Sequence, residues 1–352
     1  MQVSIIIVSY NAKHHLHFCL ESCLKATQTI NAEIIVVDNH STENVVEELS
    51  PLFPTINFYA LKENLGFAKA NNFGVEQAKG EFVLILNPDT IIPEDLFTEL
   101  IPFYLSTKKI GLVGVKLIDV NGNFHPESKR NLPTLRNSFS KLFKIGNSAA
   151  NNYYKIDIAN DATAPAEILV GAFMFVKKEI YQQIGGFDSR YFMYGEDIDI
   201  SYSCQLAGFT NYYKGNQTVL HFKGESTKKD EKYLKIFFDA MLLFISKYHH
   251  KNYLKLKLMN FGIRIKYYQR LLSFKKAKYF PEAAQPEITE LYWLDRDLNF
   301  NDNKHIVLST TYFSFKEILD ILYQNNQRNL QFYIHSHQAQ KIIGDKGLVK
   351  LK

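Results

Sequence analysis

The feature that most constrains this chain is a repeat: short, continuously apolar runs, each followed by a stretch with helical spacing. Val3 to Ser9, Ile34 to Asp38, Ile56 to Tyr59, Phe82 to Leu86 and Ile110 to Lys116 are rich in β-branched residues. A strand that is apolar on both faces has to be covered on both faces. These runs therefore predict a mostly parallel sheet with helices on each side and right-handed crossovers. Helices are expected at Ala12 to Thr29, Glu43 to Leu49, Gly66 to Ala78 and Pro93 to Leu105. In the first, Leu16, Leu20, Cys23 and Leu24 share a face and Asn11 is placed as its cap. Pro93 suits the first turn of the fourth.

The chain has 352 residues, enough for one large domain and a smaller unit. With 46% hydrophobic and 22% charged residues it has the balance of a globular protein. No apolar run reaches the length of a membrane-spanning helix, and the N-terminal MQVSIIIVSYN reads as a buried strand, not a signal peptide. Three cysteines, Cys19, Cys23 and Cys204, are too few and odd in number for a disulfide framework. They point to a reducing cytoplasm, and no Cys/His spacing suggests structural zinc. The net charge of +5 is local: residues 247–278 hold ten Lys/Arg and no acid. The remainder carries 31 basic against 36 acidic side chains, so no nucleic-acid partner is expected.

The repeat stops at about residue 117. Residues 117–167 read as a long irregular insertion of the kind that forms a lid or binding loop. Order resumes with a strand at Ile168 to Val176, helices near Lys177 to Ile184 and Glu196 to Leu206, a strand at Thr218 to Phe222 and a long helix from Lys229 to Lys247. In the basic segment, Leu254, Leu258, Phe261, Ile265, Tyr268 and Leu272 form one helical stripe beside Lys255, Lys257, Arg264, Lys266 and Arg270. Such a helix either lies on an anionic membrane surface or packs on the core or a homodimer partner. Residues 279–300 read as a linker, and 304–334 as a small β-α-β unit.

Ligands of open α/β sheets bind beyond the carboxyl ends of the strands. The residues there are Ser9-Tyr10-Asn11 after strand one, Asp38-Asn39 after strand two, Glu63 to Asn72 after strand three and Asn87-Pro88-Asp89 after strand four. An acid after strand two can accept from a base or ribose. An acid after strand four can hold a divalent cation on phosphate oxygens. Each segment is also a serviceable turn by itself. No Gly-x-Gly-x-x-Gly or Walker segment is present, which disfavours a dinucleotide fold. Further on, Gly195-Glu196-Asp197-Ile198-Asp199 follows an aromatic run and suits either a helix first turn or a general base beside an acceptor pocket. His221 closes a strand, as a packed residue, a metal ligand or a phosphate donor.

Together these segments resemble the inverting family 2 glycosyltransferases of GT-A fold, most nearly the bacterial rhamnosyltransferase-like branch. The resemblance rests on Val8 to Asn11, Val37 to Thr42, Glu63 to Asn72, Asn87 to Asp89, Gly171 to Phe175, Gly185 to Asp188, Gly195 to Asp199 and His221. It spans about residues 1–250 and implies a GT-A nucleotide-diphospho-sugar transferase domain over 1–246; the pattern of the remainder places a basic amphipathic segment and linker over 247–300 and a small C-terminal α/β unit over 301–352. The resemblance further implies that Ser9, Tyr10, Asn11, Asp38, Asn64, Lys69, Asn72 and Asn87 serve the nucleotide. Asp89 and His221 would hold Mg²⁺ or Mn²⁺, with Asn87 standing where the family's metal motif has its first acid. Asp197 would be the base and Glu196 its neighbour in that role. The reaction implied is transfer from a nucleotide-diphosphate sugar to a glycan or polyprenol-linked acceptor in cell-surface polysaccharide synthesis. It would take place in the cytoplasm or at the inner face of the membrane. The alternatives are a sugar-nucleotide nucleotidyltransferase, whose Gly-rich basic signature after strand one is missing here, and a non-catalytic carbohydrate-binding relative.

Overall fold

The computed structural model describes residues 1–132, 153–223, 231–248, 253–277, 291–300, 304–328, 330–345 and 347–349. The first part runs β1 (Val3–Ser9), α1 (Lys13–Ala26), β2 (Ala32–Asp38), α2 (Val45–Leu49), β3 (Asn57–Ala60), α3 (Gly66–Gln77), β4 (Phe82–Leu86), β5 (Thr90–Ile91), α4 (Leu96–Ser106) and β6 (Ile110–Ile118). It continues with β7 (Thr163–Pro165), β8 (Phe173–Lys177), α5 (Lys178–Gln183), α6 (Glu196–Leu206), β9 (Thr210–His221), α7 (Glu231–Tyr248) and α8 (Tyr253–Ala277). The C-terminal part holds β10 (Tyr292–Trp293), β11 (His305–Ser309), α9 (Phe315–Gln324), β12 (Gln331–Ser336), β13 (Lys341–Gly344) and β14 (Gly347–Leu348).

The large sheet has the order β3-β2-β1-β4-β8-β6-β9-β5, with β7 beside β9. The ladders β1–β2, β1–β4, β2–β3 and β6–β9 are parallel. Strand β8 enters antiparallel between β4 and β6. That reversal matters for function. The first residue of β8, Phe173, sits opposite the last residue of β4, Leu86. The chain entering β8 therefore shares an edge with the ends of β1, β2 and β4. His221, ending β9, reaches the same edge and pairs with Thr90. The core behind this edge is the continuous apolar set read from the sequence: Ile5, Ile6, Ile7, Ile35, Val36, Val37, Leu84 and Ile85 are buried, as are Cys19, Cys23 and Cys204.

Several local expectations are corrected. Asn11 does not cap α1. It takes the left-handed conformation, φ 51°, which Asn tolerates, and its side chain accepts from Thr42 instead, while Ala12 precedes the helix without a side-chain bond. Pro93 precedes α4 rather than opening it, and its carbonyl accepts from Leu96. The strand expected at 168–176 begins at Phe173, because Ile168 is bridged to Arg130. The strand expected at 218–222 is the end of a 12-residue strand whose first half contains Lys214 and Gly215, which mask its apolar pattern. Of the insertion expected over 117–167, residues 133–152 lie outside the described residues.

The small unit has its own sheet, β10-β11-β12-β13-β14, and a small cluster of its own around Val307, Tyr333 and Ile342, but its larger core is shared. Phe18, Ile91, Ile118, Val120, Leu220 and Phe222 of the first part form one cluster with Ile306, Leu308, Leu322 and Phe332. The Glu94 carboxylate accepts from the backbone N–H groups of Phe315 and Lys316, at the start of α9 where a helix favours negative charge. Phe222→Ala is expected to cost ~3–5 kcal/mol, as for other buried aromatics. Trp293, the one tryptophan of the chain, reports on the small unit. Urea unfolding followed by Trp293 fluorescence and by far-UV circular dichroism should therefore give coincident curves. Separate curves would mean that the shared core does not couple the two parts.

Candidate active site

Three clusters line the sheet edge. In the first, the Asn39 N–H donates to the Ser9 carbonyl at 2.8 Å, joining the ends of β1 and β2. The Asn39 amide donates to Asn64 Oδ1 at 3.0 Å and accepts from the Leu65 N–H at 2.8 Å, tying the loop after β3 to the same place. Asp38 Oδ2 accepts from the Ser41 N–H at 3.2 Å. Its other oxygen, Oδ1, and the hydroxyl of Ser9 are buried and have no hydrogen-bond partner among the described residues. A buried polar group without a partner is costly, so these two atoms keep hydrogen-bonding capacity that the described residues do not use. Tyr10 is half-buried beside them.

The rest of the expected nucleotide set is placed differently. Gly66 has φ +79°, and a Cβ there would lie 2.4 Å from the Phe192 carbonyl, so this loop needs glycine to dock on the chain before α6. Lys69 is exposed on α3. Asn72 is committed to the protein. Its amide donates to the Phe187 carbonyl at 2.7 Å, and its oxygen accepts from the Tyr181 hydroxyl at 2.6 Å and the Phe187 N–H at 3.0 Å. It clamps α3 to the Gly185-Gly186 turn.

In the second cluster, Asp89 Oδ1 lies 3.3 Å from His221 Nε2, and the Asn87 amide nitrogen 3.4 Å from the same ring nitrogen. Asp89 Oδ1 and Asn87 Oδ1 are buried without a hydrogen-bond partner among the described residues. Burial pushes the Asp89 carboxyl up, but His221 and His15 outweigh it and the net shift is downward. His125, from the turn after β6, stacks edge-on against His221 with centroids 5.8 Å apart. Burial lowers His15 and His125 to about 4, so both rings are neutral at pH 7. Among the described residues no three His, Cys, Asp or Glu side chains form a complete metal cage. An orphaned carboxylate oxygen facing an imidazole fits a cation that takes its remaining ligands from phosphate and water, as Mg²⁺ commonly does.

The third cluster is the first turn of α6, reached through Gly195 at φ +81°. Asp197 Oδ2 accepts from Arg130 Nη2 at 2.6 Å, and Oδ1 from the Ile198 N–H at 2.8 Å. Arg130 is buried and also donates to the Leu169 carbonyl and the Tyr153 hydroxyl. Glu196 is buried with Oε2 unpartnered among the described residues. Burial pushes its carboxyl up, and the neighbouring Asp197 charge pushes it further. Folded Glu196 thus holds its proton more tightly than unfolded Glu196. The stability tied to that proton is complete below the unfolded value of ~4.3 and fades as pH rises towards the folded one. Glu196→Gln removes this loss. Its Tm should match wild type near pH 4 and exceed it by about 2–4 °C at pH 8.5, corresponding to ~1 kcal/mol. Equal Tm differences at both pH values would contradict the shift.

Beyond this turn, Tyr194 meets Tyr233 and Phe237 of α7, with centroids 5.2 and 6.1 Å apart. Aromatic side chains thus stand beside the acid pair, and two of these three come from α7. Asp199, the third acid of the run, faces away. It accepts from Lys247 at 2.8 Å and Tyr248 at 2.9 Å, so it anchors α7 to α6.

The sequence model described as glycosyl transferase family 2 matches residues 4–185. The chain belongs to that family. The match covers the first cluster and Asn87 and Asp89 of the second, ends before the α6 turn and His221, and sets aside the nucleotidyltransferase alternative. This glycosyltransferase is 26% identical over 241 residues to an N-acetylglucosaminyl-diphospho-decaprenol L-rhamnosyltransferase of Mycobacterium tuberculosis, covering 64% of this chain and 78% of the relative. It is 28% identical over 228 residues to the rhamnosyltransferase WbbL of Escherichia coli K12, covering 62% and 83%. Among solved structures, GalNAc-T7 with UDP, GalNAc and Mn²⁺ superposes with a TM-score of 0.50 at 14% identity, covering 80% of this chain and 58% of that one. That likeness supports the GT-A fold.

Sequence reasoning did not single out Asn39 as the hub of the first cluster, nor His125, Arg130 or the α7 aromatics. Arg130 stands in a polar stretch, Ser128-Lys129-Arg130-Asn131, where nothing distinguishes a buried arginine from its neighbours.

Proposed function

We propose that this glycosyltransferase moves a sugar from a nucleotide-diphosphate donor to a hydroxyl of a glycan or polyprenol-linked acceptor, inverting the anomeric centre, in cell-surface polysaccharide synthesis. The observation that carries the reading is the convergence on one sheet edge of the unpartnered Ser9 hydroxyl and Asp38 Oδ1, the Asp89–His221 pair, and the Glu196–Asp197 turn. We assign the catalytic domain to 1–246, the basic segment and linker to 247–300 and the accessory unit to 301–352, whose sheet also takes in β10 (Tyr292–Trp293) from the end of the linker. The site of action is the cytoplasm, at the inner face of the membrane. Among the described residues no helix is long and apolar enough to cross it.

In this reading Asp38 and Ser9 accept and donate to the base or ribose, with Tyr10 and Asn11 bordering it. The Asn64 loop closes over the nucleoside, the exposed ammonium of Lys69 is available to the diphosphate, and Asn72 holds the helix that presents it. Asn87, Asp89 and His221 face the diphosphate. Asp89 and His221 would hold Mg²⁺ or Mn²⁺, which would supply Lewis-acid neutralisation of the leaving diphosphate. Asp197 takes the acceptor proton as the hydroxyl oxygen attacks the anomeric carbon, through an oxocarbenium-like transition state. Arg130 fixes the orientation of that carboxylate, and Glu196 keeps the turn from carrying two adjacent full charges. Incubation with UDP-, GDP- and dTDP-sugars, with and without Mn²⁺, tests the reading. Metal-stimulated release of nucleoside diphosphate from one donor class is expected. No release from any donor, with or without acceptor lipid extract, would overturn it.

A further inference from the structure

The hairpin of α7 and α8 uses one face of α8 for packing. Leu256, Met259, Ile263 and Tyr267 meet Phe238, Ile245, Leu234 and Met241 of α7. The opposite face holds the apolar stripe, and from Phe261 to Leu272 nothing among the described residues covers it; the side chains of Leu254 and Leu258 lie outside the described residues. Phe261 is 65% exposed, Ile265 38%, Tyr268 61% and Leu272 64%. Residues 261, 265, 268 and 272 follow the spacing of a single helix face. By helical position Lys257 and Arg264 border that face on one side, and Lys266 lies on the far flank, nearer the packing face. Seven Lys/Arg and no Asp/Glu occupy α8.

We propose that this outer face of α8 docks on the surface of an anionic phospholipid bilayer. Three observations select that occupant. A contiguous row of exposed aromatic and aliphatic side chains on a soluble surface marks an interaction site. A helix that is apolar on one face, basic at its shoulders and devoid of acids complements lipid headgroups, which are negative, above acyl chains, which are apolar. The hairpin is also fastened to the catalytic turn: Lys247 donates to Asp188 and Asp199 at 2.8 Å, and Tyr233 and Phe237 of α7 meet Tyr194 beside Glu196. Docking the outer face would set the acceptor side of the site at a fixed height above the bilayer. The inference deepens the peripheral-membrane part of the proposed function and rests on it for the place of action. Vesicle sedimentation itself needs neither donor nor acceptor, so failure to pellet leaves sugar transfer standing.

The full chain is sedimented with vesicles of phosphatidylcholine alone and of phosphatidylcholine with 30% phosphatidylglycerol, at low and high salt. Pelleting with the anionic vesicles at low salt, and its loss at high salt, are expected, because charge attraction is screened. Arg264→Gln with Lys266→Gln should weaken the partition by about fivefold per charge removed. Phe261→Ser with Leu272→Ser, both on the exposed face, should abolish pelleting while leaving Tm and metal-stimulated donor hydrolysis unchanged. No pelleting of wild type on anionic vesicles at low salt overturns the proposal. So does equal pelleting on neutral vesicles. A wild-type dimer that the Phe261/Leu272 variant converts to monomer, without lipid binding, would assign the face to a second copy of the chain instead.

Discussion

Asp197→Asn is expected to lower transfer by about 10²–10⁴-fold, the usual contribution of a positioned base. Asparagine keeps an oxygen for Arg130, which donates to Asp197 Oδ2 at 2.6 Å, but it cannot take a proton. The loss should fall on kcat, with donor binding retained, because Asp197 lies on α6 and the nucleotide cluster lies at the ends of β1 and β2. Stopped-time assays at saturating donor, with nucleotide-induced thermal shift as the control for folding, separate the two. Near-normal turnover would move the base elsewhere, and Glu196 is the nearest carboxyl. Arg130→Met is a different case. It leaves a carboxylate in a site built for a pair, and removing one partner of a buried pair costs roughly 3–5 kcal/mol. A variant that loses stability without losing activity per folded molecule would show that Arg130 acts in folding and not in orienting Asp197.

The second large effect concerns the Asp89–His221 pair. Asp89→Asn removes the one carboxylate of this cluster, since position 87 is already an amide. Metal neutralisation of a leaving diphosphate is worth several kcal/mol, so a loss on the order of 10³-fold is expected, and added Mn²⁺ should no longer stimulate hydrolysis. Chelation of wild type should reproduce most of that loss. His221→Ala should raise the Mn²⁺ concentration needed for half-stimulation, since one of two protein ligands remains. If Asp89→Asn kept metal stimulation, the cation would be held by other groups.

The scaffold was legible in the sequence because burial on both faces leaves a direct trace. Ile5 to Val8, Ile34 to Val37 and Val83 to Leu86 are apolar at every position, and the strands fall there. The direction of β8 was not legible, because an apolar run such as Phe173 to Val176 reads the same parallel or antiparallel. Asp38, Asp89 and Asp197 stood out because a charged residue directly after an apolar strand, or in an aromatic run, has no packing reason to be there. Asn72 shows the limit of that logic. Its position in the loop motif suggests a ligand contact, while in the fold its amide is spent on Phe187 and Tyr181. Arg130 shows the converse. It is 67 residues from Asp197 in sequence, and a contact at that range leaves no local pattern. The outer stripe of α8 was visible as a periodicity, but its orientation depended on which face α7 covers, and that choice is made by Leu256, Met259 and Ile263.

The most direct test of the account is a thermal-shift titration of the purified chain with UDP, GDP and dTDP, each with and without Mn²⁺, in wild type and Asp89→Asn. Binding to the folded state stabilises by mass action, about 2.7 kcal/mol at a hundredfold excess over Kd. One nucleoside diphosphate should raise the wild-type Tm, Mn²⁺ should enlarge the rise, and Asp89→Asn should abolish the enlargement. A wild-type Tm unmoved by all three nucleotides with Mn²⁺ present would contradict the proposed function.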